Sequence, residues 1–320
     1  MTTSAPQVPL LAIVLITDRL STIRRVLEHL QRQTRRDAVE LVIAHTPDVP
    51  IDVSTEAFAG LAAVRLVPVA SLFPMANARA AVVRAATAPF VFLGETHSFA
   101  HPTFVEELLR AHDGTCDIVV PGFGNANPGN ALSWAAFLAD YGAWLHDQTP
   151  GFITGGPIWN VAYSRAALRD ADDVLEAALG HGTILGIRLR ARGRRFRFAP
   201  AARIDHANVA TPREWVHERF LSGLLVAAHR RTDWSLARRL AYVAAAPLIP
   251  LVTLSRIRRP FAIAWKQGIL PNGTAFALVI GACIRTVGEV VGYVTTPGPH
   301  FEVDMELNYE LHKMRHAHGG

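Results

Sequence analysis

The chain has 320 residues, a net charge of +5 and a pI near 9.7, and half of its residues are hydrophobic. This length allows one large domain or two smaller ones, and the presence of only two cysteines, Cys116 and Cys283, argues against a disulfide scaffold. The surplus of positive charge is mostly arginine, which suits phosphorylated small molecules or an anionic membrane surface, and we find no nucleic-acid-binding motif. The first residues lack a basic n-region, so we expect no signal peptide and a cytoplasmic location.

Strands and helices alternate along the first part of the chain. The continuous apolar run PLLAIVLI, at residues 9–16, is typical of a strand buried on both faces of a parallel sheet. The other predicted elements here are strands at 40–44, 63–69, 89–93 and 117–121 and helices at 21–33, 77–86 and 103–111. This alternation predicts an α/β fold with a mainly parallel sheet, in which ligands gather at the carboxyl ends of the strands.

The pattern changes after residue 121. We predict a turn-rich loop at 122–130, an amphipathic aromatic helix at 133–147, and a second loop that continues to residue 160. The elements predicted next are a helix over 173–192 with a break near residues 180–182, an alternating strand at 194–200 and a long helix at 211–231.

The last quarter contains the two most apolar segments, at 240–254 and 273–294. The second is long enough to span a membrane, but it carries Arg285 and Glu289 one helical turn apart, which would be costly in lipid. Arginines flank both segments, so we expect helices that lie on a membrane face. The alternatives are a helical interface between copies of the chain and an ordinary core.

Two potential metal ligands, Glu95 and His97, follow directly after the predicted strand at 89–93. At positions i and i+2 of an extended turn, both side chains can point the same way. His206 follows another predicted strand and could complete a site for a divalent ion. The alternative is an ordinary polar turn, because the spacing alone is not specific.

Four segments, taken together, resemble family-2 glycosyltransferases of the GT-A fold. The resemblance covers about residues 10–235. Its segments are AIVLITDRLSTIRRVLEHLQRQ at 12–33, NARAAVVRAATAPFVFLGETHSFAHPTFVEELL at 77–109, GGPIWNVAYSRAAL at 155–168 and ILGIRLRARGRRFRFAPAARIDHAN at 184–208. Glu95 and His97 fall on the two acid positions of the family's D-x-D motif, and Pro102 falls on a proline that follows it. The chain thus resembles a divergent subgroup with E-x-H in place of D-x-D.

The resemblance implies a Rossmann-like GT-A sheet flanked by helices and the transfer of a sugar, with inversion, from a nucleotide-sugar donor. Mg²⁺ or Mn²⁺ would bind at Glu95, His97 and His206 and neutralise charge on the leaving group. It also implies three parts: a nucleotide-sugar-binding half (1–121), an acceptor-binding half (122–235) and a C-terminal helical region (236–320) for a membrane or for oligomerisation. The residues implied for the donor are Thr17, Asp18, Arg19, Asp48, Arg79 and Glu95, and those implied for the acceptor are Trp159, Asn160 and Tyr163.

The catalytic base is where the sequence departs from the family. The family's acidic pair falls on His181 and Gly182 in this chain. His181 could act as the base, and so could Glu176, Asp173 or Asp172 if the helix begins earlier. The alternative for these acids is that Asp173 caps the helix and Glu176 lies on a solvated face.

The leading hypothesis is a glycosyltransferase at the inner membrane face, with a lipid-linked or small-molecule acceptor. The alternative is a catalytically inactive GT-A scaffold at the membrane, because the acid expected at position 182 is absent. A nicotinamide-dependent dehydrogenase is excluded, since no G-x-G-x-x-G follows the first strand.

Overall fold

The structure of the chain, a computed structural model, describes residues 8–180 and 184–318. Its described strands form a nine-stranded sheet in the order β3-β2-β1-β4-β8-β6-β9-β5, and β7 pairs with β9. The strands are β1 (Leu11–Ile16), β2 (Val39–His45), β3 (Ala63–Pro68), β4 (Phe90–Leu93), β5 (Ser98–Ala100), β6 (Ile118–Asn125), β7 (Gly151–Ile153), β8 (Ala162–Ser164) and β9 (Phe196–His206).

Twelve α-helices lie in the described part of the chain, together with short 3-10 turns and a π-helix at Met305–Leu311. The helices are α1 (Leu20–Gln31), α2 (Met75–Ala85), α3 (Phe104–Ala111), α4 (Ala131–Asp140), α5 (Arg165–Arg169), α6 (Leu175–Gly180), α7 (Ile184–Ala191), α8 (Pro212–Asp233), α9 (Leu236–Ala244), α10 (Ile249–Lys266), α11 (Thr274–Val294) and α12 (His300–Asp304).

The sheet is mainly parallel. Strand β1 runs parallel to β2 and β4, and β2 runs parallel to β3. Strand β8 is antiparallel to both β4 and β6, and β7 is antiparallel to β9. Every residue of β1 and β2 is buried, as expected for continuous apolar strands covered on both faces. The predicted α/β fold with a mainly parallel sheet and a C-terminal helical region is therefore confirmed.

One buried acidic side chain lies near the start of β2 in this apolar sheet. Glu40 of β2 is fully buried, and its carboxylate accepts hydrogen bonds from the backbone N–H groups of Thr87 and Ala88 and from the Thr87 hydroxyl. These bonds lower the pKa of Glu40, against the effect of its burial. The charge thereby fixes the loop between α2 and β4 to the sheet.

The chain divides into two compact units. The first contains residues up to Gly124 and residues 144–205, and therefore the sheet with α1–α3 and α5–α7. The second contains residues 125–143 and those from His206 onward, and therefore α4 and α8–α12. The boundary falls one residue before the ends of β6 and β9, and His206 is the last residue of β9.

Within the second unit, α8 and α11 pack backbone to backbone. A Cβ atom at Gly223 would overlap the carbonyl of Arg285, and one at Gly288 would overlap the carbonyl of Phe220. Arg219 of α8 is buried and donates to both carboxylate oxygens of Asp140 at 3.1 and 2.7 Å. Glycines therefore allow the close approach of the two helices, and an ion pair joins α8 to the end of α4.

The structure corrects three of the predicted element boundaries. Strand β6 continues to Asn125, so the segment after 121 is not a loop from its start. Helix α4 ends at Asp140, and a 3-10 turn at Gly142–Trp144 follows it. Strand β9 runs without interruption to His206, so this histidine belongs to the strand that it was expected to follow.

Helix α11 is long and apolar enough to cross a membrane, with a mean hydropathy of 1.7. The segments Leu236–Ala244 and Ala246–Lys266, bent by 56°, would make a second candidate if they counted as one span. These candidates rest on length and composition alone, and core helices of soluble proteins pass the same test. The three-part division at residues 121 and 235 stays a prediction.

Candidate functional site

The carboxyl ends of β1, β2 and β4 lie at the same edge of the sheet, because these strands are parallel. Just beyond the ends of β1 and β4, two backbone hydrogen bonds continue the pairing. The N–H of Thr17 donates to the carbonyl of Ala44 in β2, and the N–H of Gly94 donates to the carbonyl of Val14 in β1. Position 94 has little space, since a Cβ there would lie 2.9 Å from a methyl carbon of Leu15. A glycine at position 94 therefore lets the backbone after β4 lie close to β1. The turn that carries Glu95 and His97 begins at this point.

Glu95, His97 and His206 form a buried cluster at this edge. One potential ligand atom from each residue lies within 4.8 Å of the other two. The Nε2 atom of His97 is 3.5 Å from Oε2 of Glu95, and both side chains are almost completely buried. The predicted metal ligands are therefore brought together, although His206 lies more than a hundred residues further along the chain.

Two polar side chains position the Glu95 carboxylate. The amide of Asn160 and the hydroxyl of Ser98 both donate to Oε2 of Glu95, the hydroxyl at 3.3 Å. Asn160 is fully buried, and its φ of 58° lies in the left-handed region. Its backbone N–H donates to Leu93, the last residue of β4, at 2.7 Å. The turn at Asn160 is therefore attached to the same strand end as the turn at Glu95.

His206 has its own positioning residue. Its Nδ1 lies 2.9 Å from the side-chain oxygen of Asn208, and since that oxygen only accepts, Nδ1 is the donor. The amide of Asn208 in turn donates to the side-chain oxygen of Asn125, at the end of β6, at 3.0 Å. In the neutral imidazole the lone pair is then on Nε2, which is the arrangement that a metal-binding histidine needs.

The donor set fits a divalent metal ion. A buried carboxylate beside two buried imidazoles supplies one oxygen and two nitrogen ligands. Imidazole nitrogen suits Zn²⁺ and Fe²⁺, whereas Mg²⁺ and Mn²⁺ are bound mainly through oxygen ligands such as carboxylates and water. The cluster therefore offers ligands for a divalent ion and does not distinguish between the two predicted cofactors, Mg²⁺ and Mn²⁺.

The residues predicted to bind the donor lie on four segments of the first unit, namely the loops after β1 and β2, helix α2 and the turn after β4. Thr17 is buried just beyond β1, and its hydroxyl donates to the carbonyl of Arg19 at 2.6 Å. The Asp18 carboxylate accepts from Thr22 and from the exposed Arg19 guanidinium. Asp48 lies on the loop after β2, where a hydrogen bond from Thr46 lowers its pKa. These residues follow two neighbouring parallel strands.

Arg79, on α2, stacks on a predicted acceptor residue. Its guanidinium lies 3.7 Å from the ring centroid of Trp159, which is half-buried. Trp159 immediately precedes Asn160, so this cation–π contact adjoins the turn that supports Glu95. The predicted donor and acceptor residues Arg79 and Trp159 are therefore neighbours.

Tyr163 lies inside the sheet. It is a β8 residue that is 2% exposed, and its hydroxyl donates to the carbonyl of Ile158 at 3.0 Å. Burial raises its pKa well above the usual range. The hydroxyl of Tyr163 therefore holds the loop that precedes β8. The other two predicted acceptor residues, Trp159 and Asn160, lie on that loop.

The candidate bases Glu176 and Asp173 are both paired with arginines. Glu176 of α6 forms an ion pair with Arg84 of α2, and hydrogen bonds from Arg84 lower the pKa of Glu176. Asp173 accepts two bonds from Arg188, at 2.6 and 2.7 Å. A lowered pKa makes a carboxylate a weaker base. The third candidate, His181, lies outside the described residues.

Sequence reasoning missed the two positioning residues Ser98 and Asn208. Both are buried polar residues next to a predicted ligand in the chain, in ETHS and HAN. Buried polar groups need partners, so a serine or asparagine within two residues of a buried ligand was the available signal. Asn160 was predicted to bind the acceptor, and the structure shows it bonded to Glu95.

No protein-family model and no curated protein matches the sequence. Solved structures do match, and one of them is the mannosyltransferase PcManGT from Pyrobaculum calidifontis in complex with GDP-Man and Mn²⁺. The two chains share 16% identity over 95% of this chain and 90% of that one, with a TM-score of 0.46. Because this TM-score is low, the α/β fold is assigned from the strand order of the chain itself.

Proposed function

We propose that this protein is a metal-dependent glycosyltransferase that takes a nucleotide-sugar donor. The observation that carries the proposal is the convergence of Glu95, His97 and His206 in one buried cluster at the carboxyl edge of a mainly parallel sheet. That edge is where α/β folds bind their ligands. The resemblance of the E-x-H segment to the D-x-D segment of family-2 glycosyltransferases supplies the reaction class.

The charge of the cluster suits a diphosphate. One carboxylate and two neutral imidazoles carry a charge of −1, so a bound divalent ion leaves the group positive. When bound, the metal would neutralise the charge that develops on the departing nucleoside diphosphate. Asn160 and Ser98 would hold the Glu95 carboxylate in place, and Asn208 would hold the His206 ring, so that little reorganisation is needed when the donor binds.

In this proposal, different segments of the first unit contact different parts of the donor and the acceptor. Thr17, Asp18, Arg19 and Asp48, which follow β1 and β2, would contact the nucleotide. Arg79, held on the Trp159 ring, would adjoin the sugar-phosphate portion of the donor, and Trp159 would border the acceptor. The acceptor in this proposal is a lipid-linked or small molecule, and transfer inverts the anomeric carbon by analogy with the family alone.

His181 is our preferred base. Glu176 and Asp173 are both held in ion pairs with arginines. The pKa of Glu176 is lowered by its hydrogen bonds from Arg84, so its carboxylate accepts a proton from an acceptor hydroxyl less readily. Imidazole is the side chain whose unperturbed pKa lies closest to neutral pH, which suits a general base. Replacing His181 with glutamine should therefore abolish transfer while leaving nucleotide binding intact.

The proposal is tested by measuring nucleoside diphosphate release from UDP-, GDP- and dTDP-sugars with purified protein, with and without Mn²⁺. We expect release that requires Mn²⁺ and that the double variant Glu95→Gln/His97→Asn loses. His101→Asn is the matched control, because His101 lies close to His97 in the chain but pairs with Asp205 at 2.9 Å.

The absence of release with every donor would contradict the proposal. It would favour the inactive scaffold, and most strongly if His181→Glu/Gly182→Asp created activity that the wild type lacks. Release that the double variant retained would contradict the assignment of the site.

A further inference from the structure

Exposed apolar side chains are concentrated on the C-terminal helices. Of the twenty large hydrophobic residues that are exposed in the described part of the chain, thirteen lie between residues 236 and 294. Leu251 and Trp265 of α10 are each 63% exposed, and Phe276 of α11 is 72% exposed. On α11, Phe276, Ile280, Cys283 and Val287 follow helical spacing and are all exposed, so one side of this helix is an apolar stripe facing outward.

The exposed charges of the same region have one sign, since its acid, Glu289, is buried. From Trp234 to Gly288 the sequence contains no aspartate or glutamate, and it contains seven lysines or arginines. Arg256, Arg258, Arg259 and Lys266 of α10 are all exposed. We call this combination of exposed apolar and cationic residues on α9, α10 and α11 the C-terminal face.

The opposite side of α11 is already covered by protein. Gly288 and Gly292 bring it against the backbone of α8, at Phe220 and Leu224. Helix α8 carries many charged side chains, and Arg230 of α8 lies 3.7 Å from the buried Glu289 of α11. If α11 crossed a bilayer, these charges would be drawn into lipid at a high cost. The geometry therefore leaves only the outer stripe of α11 available to a membrane.

We propose that the C-terminal face docks on an anionic phospholipid surface, with its apolar side chains in the boundary between headgroups and acyl chains. Helices with an apolar side and a cationic border bind such surfaces through buried apolar area and attraction to anionic lipid. A second copy of the chain is a poorer occupant, because pairing two such faces would bring exposed cations against exposed cations. The acid of α9–α11, Glu289, is buried and pairs with Arg230 and Arg285. The inference does not depend on the proposed function.

The test is co-sedimentation of the purified full chain with vesicles of phosphatidylcholine alone and of phosphatidylcholine with phosphatidylglycerol. We expect binding to the anionic vesicles that weakens with salt and is reversible, and little binding to the neutral ones. The variant Arg256→Gln/Arg258→Gln/Arg259→Gln/Lys266→Gln should weaken that binding by up to about 1000-fold, since each cation near the surface contributes about 1 kcal/mol. The variant Leu251→Ser/Phe276→Ser should also weaken it, because these side chains supply apolar contact.

A control variant removes the same charge elsewhere. Arg24, Arg32, Arg192 and Arg213 are exposed outside the C-terminal face, and replacing all four with glutamine should leave vesicle binding within about threefold of wild type. Equal binding to neutral and anionic vesicles, or equal losses in the two charge variants, would overturn the proposal. So would a stable dimer by sedimentation velocity that Leu251→Ser/Phe276→Ser dissociates while vesicle binding persists.

Discussion

Asn160 combines an unusual backbone conformation with a bond to a predicted metal ligand. Its φ is 58°, and its amide donates to the Glu95 carboxylate. Partners of metal ligands typically change affinity by about 10- to 100-fold when removed. We therefore expect Asn160→Gly to raise the Kd for Mn²⁺ by about that factor in calorimetric titrations.

The variant Asn160→Ala separates the two properties. It removes the same amide, so the Kd for Mn²⁺ should rise equally, but it places a Cβ in the left-handed region. The free energy of unfolding of the alanine variant should then be about 1 kcal/mol lower than that of the glycine variant. Unchanged Mn²⁺ affinity in both variants would contradict the positioning role of Asn160.

His112 should make the protein sensitive to acid. It is buried at the end of α3, its ring is stacked 3.9 Å from that of Phe90, and neither ring nitrogen has a hydrogen-bond partner among the described residues. Burial lowers its pKa to about 4, assisted by Arg197 and opposed by Asp117 and Asp113. The unfolded chain, with a pKa near 6.5, thus binds the proton more readily between these pH values, so stability falls as the pH drops from 6.5 to 4.

The replacement His112→Phe keeps an aromatic ring against Phe90 and cannot take up a proton. Urea unfolding at pH 7 and pH 4 should show that the wild type loses about 3 kcal/mol more than the variant between these pH values. Equal losses in the two proteins would show that His112 does not titrate in the folded state as expected.

At the scale of elements, the contact between α8 and α11 depends on Gly223. A Cβ there would overlap the backbone carbonyl of Arg285, which cannot move without shifting α11. We expect Gly223→Ala to lower the free energy of unfolding by about 3 kcal/mol in chemical denaturation. Gly129→Ala is the control, since no atom lies within 4 Å of a Cβ at that position. Equal effects of the two substitutions would contradict the packing described.

The elements predicted best from the sequence are those whose buried residues form a recognisable apolar run or stripe. Strands β1, β2 and β4 are recognisable because each is an apolar run, and α1 because Ile23, Val26, Leu27 and Leu30 form one buried stripe. Strands β5, β7 and β8 were not predicted, because three residues are too few to show a period. Strand β6 extends through Gly122 and Gly124, whose composition favours turns, because the sheet supplies partners along its whole length.

The metal cluster could be predicted only in part. The i, i+2 spacing and the strand-end position gave Glu95 and His97, and a second strand end gave His206. The role of Asn160 depends on loops that meet only in the fold, for which the sequence offers no spacing, whereas Asn208 lies only two residues after the ligand that it positions. The candidate bases could not be ranked from sequence, because the arginine partners of Glu176 and Asp173 come from other elements.

At the scale of the whole molecule, the C-terminal helices complete the second unit. Helix α11 covers α8 along the line of Gly223, Gly288 and Gly292. A chain ended after residue 235 would expose that side of α8, so its Tm should fall by more than about 10 °C, or the protein should be insoluble. A chain ended after residue 318 is the control. An unchanged Tm for the shorter chain would support residues 236–320 as a separate region.

The most direct test of the account is a calorimetric titration of UDP, GDP and dTDP into the wild type, each with and without Mn²⁺. The same titrations on Glu95→Ala/His97→Ala and on the control His101→Asn locate the site. The account predicts that at least one nucleotide binds only with Mn²⁺, that the double variant loses this binding, and that the control retains it. The account would be contradicted if nucleotide binding were unchanged by Mn²⁺ and by the replacement of Glu95 and His97. It would also be contradicted if no nucleotide bound at all.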